Sequence, residues 1–254
     1  PDEVIYDMSR QLSDCEGYSA SAGLFSARKA IMQYAQLKHL PNVTMSDIYT
    51  GNGVSELINL TMSALLDTGD EILIPSPDYP LWTACATLAG GKPVHYICDE
   101  QSDWYPDIED MRKKINDRTK AIVIINPNNP TGALYPKEIL QQIVDLAREH
   151  QLIIFSDEIY DRLVMDGKEH VSIASLAPDL FCVTFSGLSN GGEFHQGAST
   201  LTQQLLKNQV FNGGEESTFA QKLERKVQEQ YLAIQLENRL TKEQILEYYL
   251  NTIN

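Results

Sequence analysis

Four short polar stretches in this 254-residue chain have the residue types and spacing for ligand chemistry. Thr50-Gly51-Asn52-Gly53-Val54-Ser55 leads into a helix-forming run. Glycines there would let backbone N–H groups approach a phosphate, with the partial positive charge of a helix N-terminus behind them. An ordinary tight turn would read the same way. Pro75-Ser76-Pro77-Asp78-Tyr79-Pro80-Leu81-Trp82 is either a rigid proline turn with aromatic packing or an aromatic platform over a planar ligand. Asn126-Pro127-Asn128-Asn129-Pro130-Thr131-Gly132 is rich in turn residues. An asparagine fixed after a buried strand can also donate to a ligand oxygen. In Asp157-Glu158-Ile159-Tyr160 a carboxylate follows an apolar run, where it is costly unless paired. A pyridinium nitrogen is one such partner, and that ion pair makes the ring an electron sink.

These stretches need elements to position them. β-Branched runs stand at Ile48-Tyr49-Thr50, 71–74, 93–97, 121–125, 152–155 and 181–185, with helical segments at roughly 54–66, 80–89, 107–115 and 136–149. The continuous apolar runs predict a sheet buried on both faces. Their alternation with helices predicts an α/β fold with a doubly wound, mostly parallel sheet, whose ligands sit at the carboxyl ends of the strands.

The formal net charge of -15 and a pI near 4.7 argue against nucleic acid or an anionic membrane as a main partner. No apolar run reaches the roughly 18 residues of a membrane span. The N-terminus has neither a signal-peptide pattern nor an initiator Met, so the chain is expected to begin inside a longer protein. Cys15, Cys85, Cys98 and Cys182 form no CxxC pair and read as reduced thiols of a cytoplasmic protein. No metal-ligand spacing is expected to hold an ion.

The texture changes after Asn190. All 11 prolines and all four cysteines precede that point. The remainder reads as helices at roughly 199–210 and 218–238, the latter aligning Phe219, Leu223, Val227, Tyr231 and Ile234 on one face. A third helix is expected from Thr241, where Thr-Lys-Glu-Gln fits a capping box.

Taken together and in this order, the four stretches resemble the class I/II pyridoxal-phosphate aminotransferases, in wording closest to the alanine-aminotransferase-like group. The resemblance covers 1–190 and implies the large domain of fold type I, incomplete here, with 191–254 as a separate helical segment. It implies that Gly53, Val54 and Ser55 hold the phosphate of pyridoxal 5'-phosphate and that Tyr79 stacks on its ring. Asn129 and Tyr160 would bond the ring's phenolic oxygen, with Asn129 also near the substrate carboxylate, and Asp157 would pair with the ring nitrogen. Tyr18 would lie in the glycine-rich entry segment near the substrate. The substrates implied are an amino acid and a 2-oxo acid, and the family is dimeric.

One position departs from the pattern. The family reads strand, Ser or Asn, Gly, Leu, Ser, Lys, whereas this chain reads Phe185-Ser186-Gly187-Leu188-Ser189-Asn190. Asn190 stands where the Schiff-base lysine belongs, and an amide can neither bond the cofactor nor move the substrate proton. The arginines for the phosphate and the substrate carboxylate, and the small domain, have no counterpart. Loss of amino transfer with non-covalent cofactor binding is the expectation.

The tail carries a second resemblance. Gly197–Asn208, Arg225–Glu229 and Lys242–Asn251 are similar to motifs of the family 51 glycosyltransferase (lysozyme-like) domain of class A penicillin-binding proteins, which polymerises a peptidoglycan precursor. It implies that Ser199, Gln203, Gln204 and Lys207 line a donor site, that Lys207 and Lys226 face a pyrophosphate, and that Glu229 is the second acidic residue. The catalytic-base glutamate of that family has no counterpart, and glycosyl transfer with two carboxylates cannot run on one. A chimeric chain is therefore expected. Gly187-Leu188-Ser189-Asn190-Gly191 also fits a G-x-S-x-G nucleophile elbow, but His195, the only later histidine, is six residues on.

Overall fold

A computed structural model describes residues 6, 9, 10, 18–164, 167–187, 240, 241, 244 and 248. They belong to two compact units, one ending at Gly51 and one starting at Asn52.

In the first unit, α1 (Phe25–Leu37) is followed by a 3-10 turn at Met45–Asp47. Arg28 ties the two together, its guanidinium donating to the carbonyls of Ile48 and Met45. Ile48–Thr50, expected as a strand, belongs to no sheet. The Thr50 N–H instead bonds the Ala22 carbonyl at 3.0 Å. That approach requires Gly23, because a Cβ there would lie 1.7 Å from Thr50 Oγ1.

The second unit holds a six-stranded sheet. Its strands are β1 (Glu71–Ser76), β2 (Lys92–Asp99), β3 (Tyr105–Pro106), β4 (Thr119–Ile125), β5 (Ile153–Asp157) and β6 (Cys182–Phe185). The order is β3-β2-β1-β4-β5-β6, parallel throughout except for β3, a two-residue strand that the sequence reading missed. Helix α2 (Val54–Leu65) precedes β1, and three helices lie in the connections between strands: α3 (Leu81–Leu88), α4 (Ile108–Lys114) and α5 (Lys137–His150). The doubly wound α/β architecture is as expected, and each predicted helix of this unit ends within a residue or two of its observed bounds.

Strand alternation sorts the core into two faces. Ile72, Ile74, Ala121, Val123, Ile125 and Phe155 pack with Val54, Ile58 and Met62 of α2 and Trp82 and Cys85 of α3. Leu73, Ile122, Ile124 and Ile154 point the other way, onto Met111 of α4 and Leu140, Ile143, Val144 and Ala147 of α5. The expectation of strands buried on both faces holds for β1, β4 and β5 but not for β2. There Tyr96 and Cys98 are buried while His95, Ile97 and Asp99 are exposed, the pattern of a strand covered on one side.

Beyond residue 187, the capping box expected at Thr241 is formed. The Thr241 N–H donates to Gln244 Oε1 at 3.0 Å and the Gln244 N–H to Thr241 Oγ1 at 3.3 Å. Gln244 and Tyr248 are helical.

Candidate functional site

The strand order reverses between β1 and β4: the chain runs from β1 outward to β2 and β3, then returns to place β4 on β1's other side. Crossovers leave a crevice at the carboxyl ends of the strands at such a point. The Pro75–Trp82, Asn126–Gly132 and Asp157–Tyr160 stretches emerge from β1, β4 and β5 at that end. Gly53 is the N-cap of α2, whose first residue, Val54, packs into the same core face as Trp82, Phe155 and Phe185, with Tyr79 half-buried against it.

Gly53 has φ 88 and ψ 165, a conformation that costs a side-chain-bearing residue dearly. Among the described residues no side chain caps α2. Its first-turn N–H groups have no acceptor within the helix, which is the geometry of an anion site. One acidic group competes nearby, since Glu56 accepts from the Asn52 N–H. The glycine-rich stretch is thus a coil-to-helix turn rather than the strand-to-helix turn expected.

Asp157 ends β5 and is only 3 % exposed. Its Oδ2 accepts from the Trp82 indole Nε1 at 3.1 Å and its Oδ1 from the Ile159 N–H at 3.3 Å. Both donors are neutral. Burial pushes its pKa up to about 6, against the pull of the two N–H donors and with a further push from adjacent Glu158. Trp82 is itself fixed by Phe155, stacked at 6.2 Å, and Phe185, edge-on at 5.2 Å. The Trp82–Asp157 partnership spans 75 residues and has no signature in the sequence.

Polar bonds hold the β4 loop under this carboxylate. The Asn126 N–H donates to the Asp157 carbonyl, and Asn126 Oδ1 accepts from the Tyr135 N–H, both at 2.9 Å. Asn128 Oδ1 takes the Thr131 N–H and hydroxyl, while its Nδ2 reaches the Tyr135 hydroxyl at 3.4 Å. Asn129 is buried at the tip of the loop and Tyr160 is half-buried in the turn after β5. Sequence reading missed the structural work of Asn126, Asn128 and Tyr135.

Glu158 has partners of its own. Its Oε1 accepts from the Ser156 and Ser172 hydroxyls at 3.0 and 2.6 Å. Glu158, Asp161 and His170 bring one ligand-type atom each within 4.8 Å of one another, and His170 Nε2 lies 3.0 Å from the Asn126 carbonyl. With the glutamate taken by two hydroxyls, the group reads as a polar network closing the turn after β5.

Tyr18 lies in the first unit and is fully exposed. Asn190, Ser199, Gln203, Gln204, Lys207, Lys226 and Glu229, and the Ser189 elbow, lie outside the described residues.

Residues 3–190 match the family model "Aminotransferase class I and II". The chain belongs to that family. The match agrees with the fold. Residues 178–254 match a second model, "Transglycosylase", overlapping the first at 178–190. Among curated relatives, this aminotransferase-family chain is 61% identical over 189 residues to the glutamate-pyruvate aminotransferase AlaA of Escherichia coli strain K12, covering 74% of this chain and 47% of the relative. It is 57% identical over 190 residues to an alanine aminotransferase of Mycobacterium tuberculosis strain H37Rv, at 74% and 44% coverage. The chain therefore spans about half the length of the curated relatives it matches. Among solved structures, an aminotransferase from Escherichia coli superposes with a TM-score of 0.72 at 48% identity, over 99% of this chain and 59% of that one. An alanine aminotransferase from Pyrococcus furiosus gives 0.71 at 34% identity, over 99% and 64%.

Proposed function

We propose that residues 1–190 are an aminotransferase cofactor-binding domain that binds pyridoxal 5'-phosphate without a covalent link and fails to complete amino transfer between alanine, or a similar amino acid, and a 2-oxo acid. One observation carries this reading: the buried Asp157 carboxylate, held by two neutral donors and destabilised as an anion by its surroundings. Such a group gains most from a cation brought by a ligand. A protonated ring nitrogen is that cation, and the uncapped start of α2 suits the phosphate of the same molecule.

When bound, the cofactor supplies an electron sink for bonds at the substrate Cα. This chain's own part is to hold it. Asp157 would keep a proton on the ring nitrogen, and Trp82 would keep Asp157 in place. The N–H groups of Gly53–Ser55 would take the phosphate. Tyr79 would cover the ring face, with Asn129 and Tyr160 at the phenolic oxygen. Asn190, at the family's lysine position, offers neither an amine to bond the cofactor nor a base to move the substrate proton. Residues 191–254 are proposed to be the transglycosylase-related part of a chimeric chain, with the second family match as support.

The test is borohydride trapping with pyridoxal phosphate, read by intact mass and peptide mapping, in the parent and in Asn190→Lys. No adduct in the parent and a single adduct at residue 190 in the variant is the expected result. A specific adduct at another lysine of the parent would overturn the non-covalent reading.

A further inference from the structure

Tyr79 sits in a turn flanked by Pro77 and Pro80, and the bonds that hold it differ on its two sides. On the C-terminal side its carbonyl accepts from the Trp82 N–H at 3.1 Å. On the N-terminal side the anchor is the Asp78 side chain. Asp78 Oδ2 accepts from the Thr83 hydroxyl at 2.8 Å, and Thr83 Oγ1 lies 2.9 Å from His95 Nε2. His95 Nε2 is also 3.8 Å from Asp78 Oδ2. Three elements meet here: the turn after β1 supplies Asp78, α3 supplies Thr83, and β2 supplies His95.

The proton arrangement excludes a nucleophilic triad. The hydroxyl proton is committed to Asp78, so the His95 nitrogen facing Thr83 donates rather than accepts. Carboxylate and hydroxyl lie at the same imidazole nitrogen, which leaves no relay from acid through base to nucleophile. The hydroxyl instead bridges a donor and an acceptor, using its single proton and one lone pair. The group is close to the site without being part of it: Thr83 follows the indole that holds Asp157, and Asp78 precedes the ring that would cover the ligand.

We propose that Thr83 is a positioning residue for Tyr79: by joining Asp78 to His95 it fixes the turn after β1 and, with it, the orientation of the Tyr79 ring over the ligand. Only the last clause rests on the cofactor reading. The fixing of the turn is a property of the chain alone and is tested first.

The experiment is hydrogen exchange of the Trp82 and Ala84 amides, which donate to the Tyr79 and Pro80 carbonyls of the turn, in the full chain, read by mass spectrometry, in the parent, Thr83→Val and Thr83→Ser. Valine keeps the volume and removes the bridge, whereas serine keeps the hydroxyl. Exchange at these two amides should accelerate about tenfold in Thr83→Val, the weight of one ordinary hydrogen bond, and stay at the parent rate in Thr83→Ser, with β4 and β5 amides unchanged in both. Equal rates in the parent and Thr83→Val would overturn the proposal. So would Thr83→Ser matching Thr83→Val, since the lost methyl packing would then be the cause. A second arm measures pyridoxal phosphate affinity by absorbance. If the parent binds and Thr83→Val binds about tenfold more weakly, the ring-orienting clause stands with the rest. If the parent does not bind while the exchange pattern holds, the positioning of Tyr79 stands and the cofactor reading falls.

Discussion

Replacing Asp157 with asparagine should change how stability depends on pH, by an amount the structure sets. Burial raises the folded-state pKa from 3.8 to about 6. The native state therefore holds a proton that the unfolded chain has released between those values. Stability falls with rising pH wherever the native state binds more protons. The contribution of Asp157 is thus fully present below about pH 4 and lost as the pH rises through about 6. About two pKa units at 1.36 kcal/mol each give a loss of about 3 kcal/mol. An asparagine keeps the shape and can still accept the Trp82 indole proton, and it does not ionise. The assay is urea unfolding of parent and variant at several pH values from 4 to 7.5, without cofactor. All other titrating groups are common to both proteins and cancel in the difference. The variant's stability relative to the parent should grow by about 3 kcal/mol across that window. A difference flat to within about 0.5 kcal/mol would refute the reasoning. Saturating pyridoxal phosphate should shrink the effect, by giving the parent's carboxylate a cation.

Three further perturbations have definite outcomes. Trp82→Phe retains ring packing and removes the N–H that Asp157 accepts; urea unfolding at pH 7.5 should show a loss of about 1.5 to 3 kcal/mol, and the loss should be much smaller at pH 4. Gly53→Ala places a Cβ at φ 88, which should cost about 1 to 3 kcal/mol and weaken phosphate-dependent cofactor binding, measured by thermal shift with pyridoxal phosphate against pyridoxal. Arg148 holds Asp179 through Nε and Nη2 at 2.7 and 2.9 Å, and that pair lowers the Asp179 pKa to about 2. The sign is opposite to that of Asp157: the stability is present above about pH 4 and is lost as pH falls through about 2. A double-mutant cycle on Arg148 and Asp179 should show a coupling at pH 7 that shrinks steeply as the pH is lowered toward 2.

Much of the sheet was legible because its apolar residues are locally patterned. Leu140, Ile143, Val144 and Ala147 recur at helical spacing and are buried together in α5. The runs in β1, β4 and β5 are apolar on both sides because both faces are covered. Ile48–Thr50 has the same composition and no sheet partner, since what decides a strand is the neighbour its amides find. The helix α1 escaped because its only buried residue is Ala35, too little for an apolar stripe. At the site, the residue types at the strand ends were readable. The bonds that arrange them were not, because Trp82 with Asp157, Thr83 with His95 and Asn126 with Tyr135 join separate elements.

Asp157 is the last residue of β5 and Glu158 the first beyond it, and their carboxylates are held by different partners. One meets an indole among aromatic rings, the other two serine hydroxyls. The two carboxylates still feel one another, Glu158 adding to the push on the Asp157 pKa, but they find separate partners, and the strand's frame decides which of them does which work. Inserting or deleting one residue within Ile153–Asp157 would turn the wrong carboxylate toward the crevice. Errors of frame in this strand should therefore be far more damaging than exchanges of one apolar side chain for another, even where the hydrophobic content is unchanged.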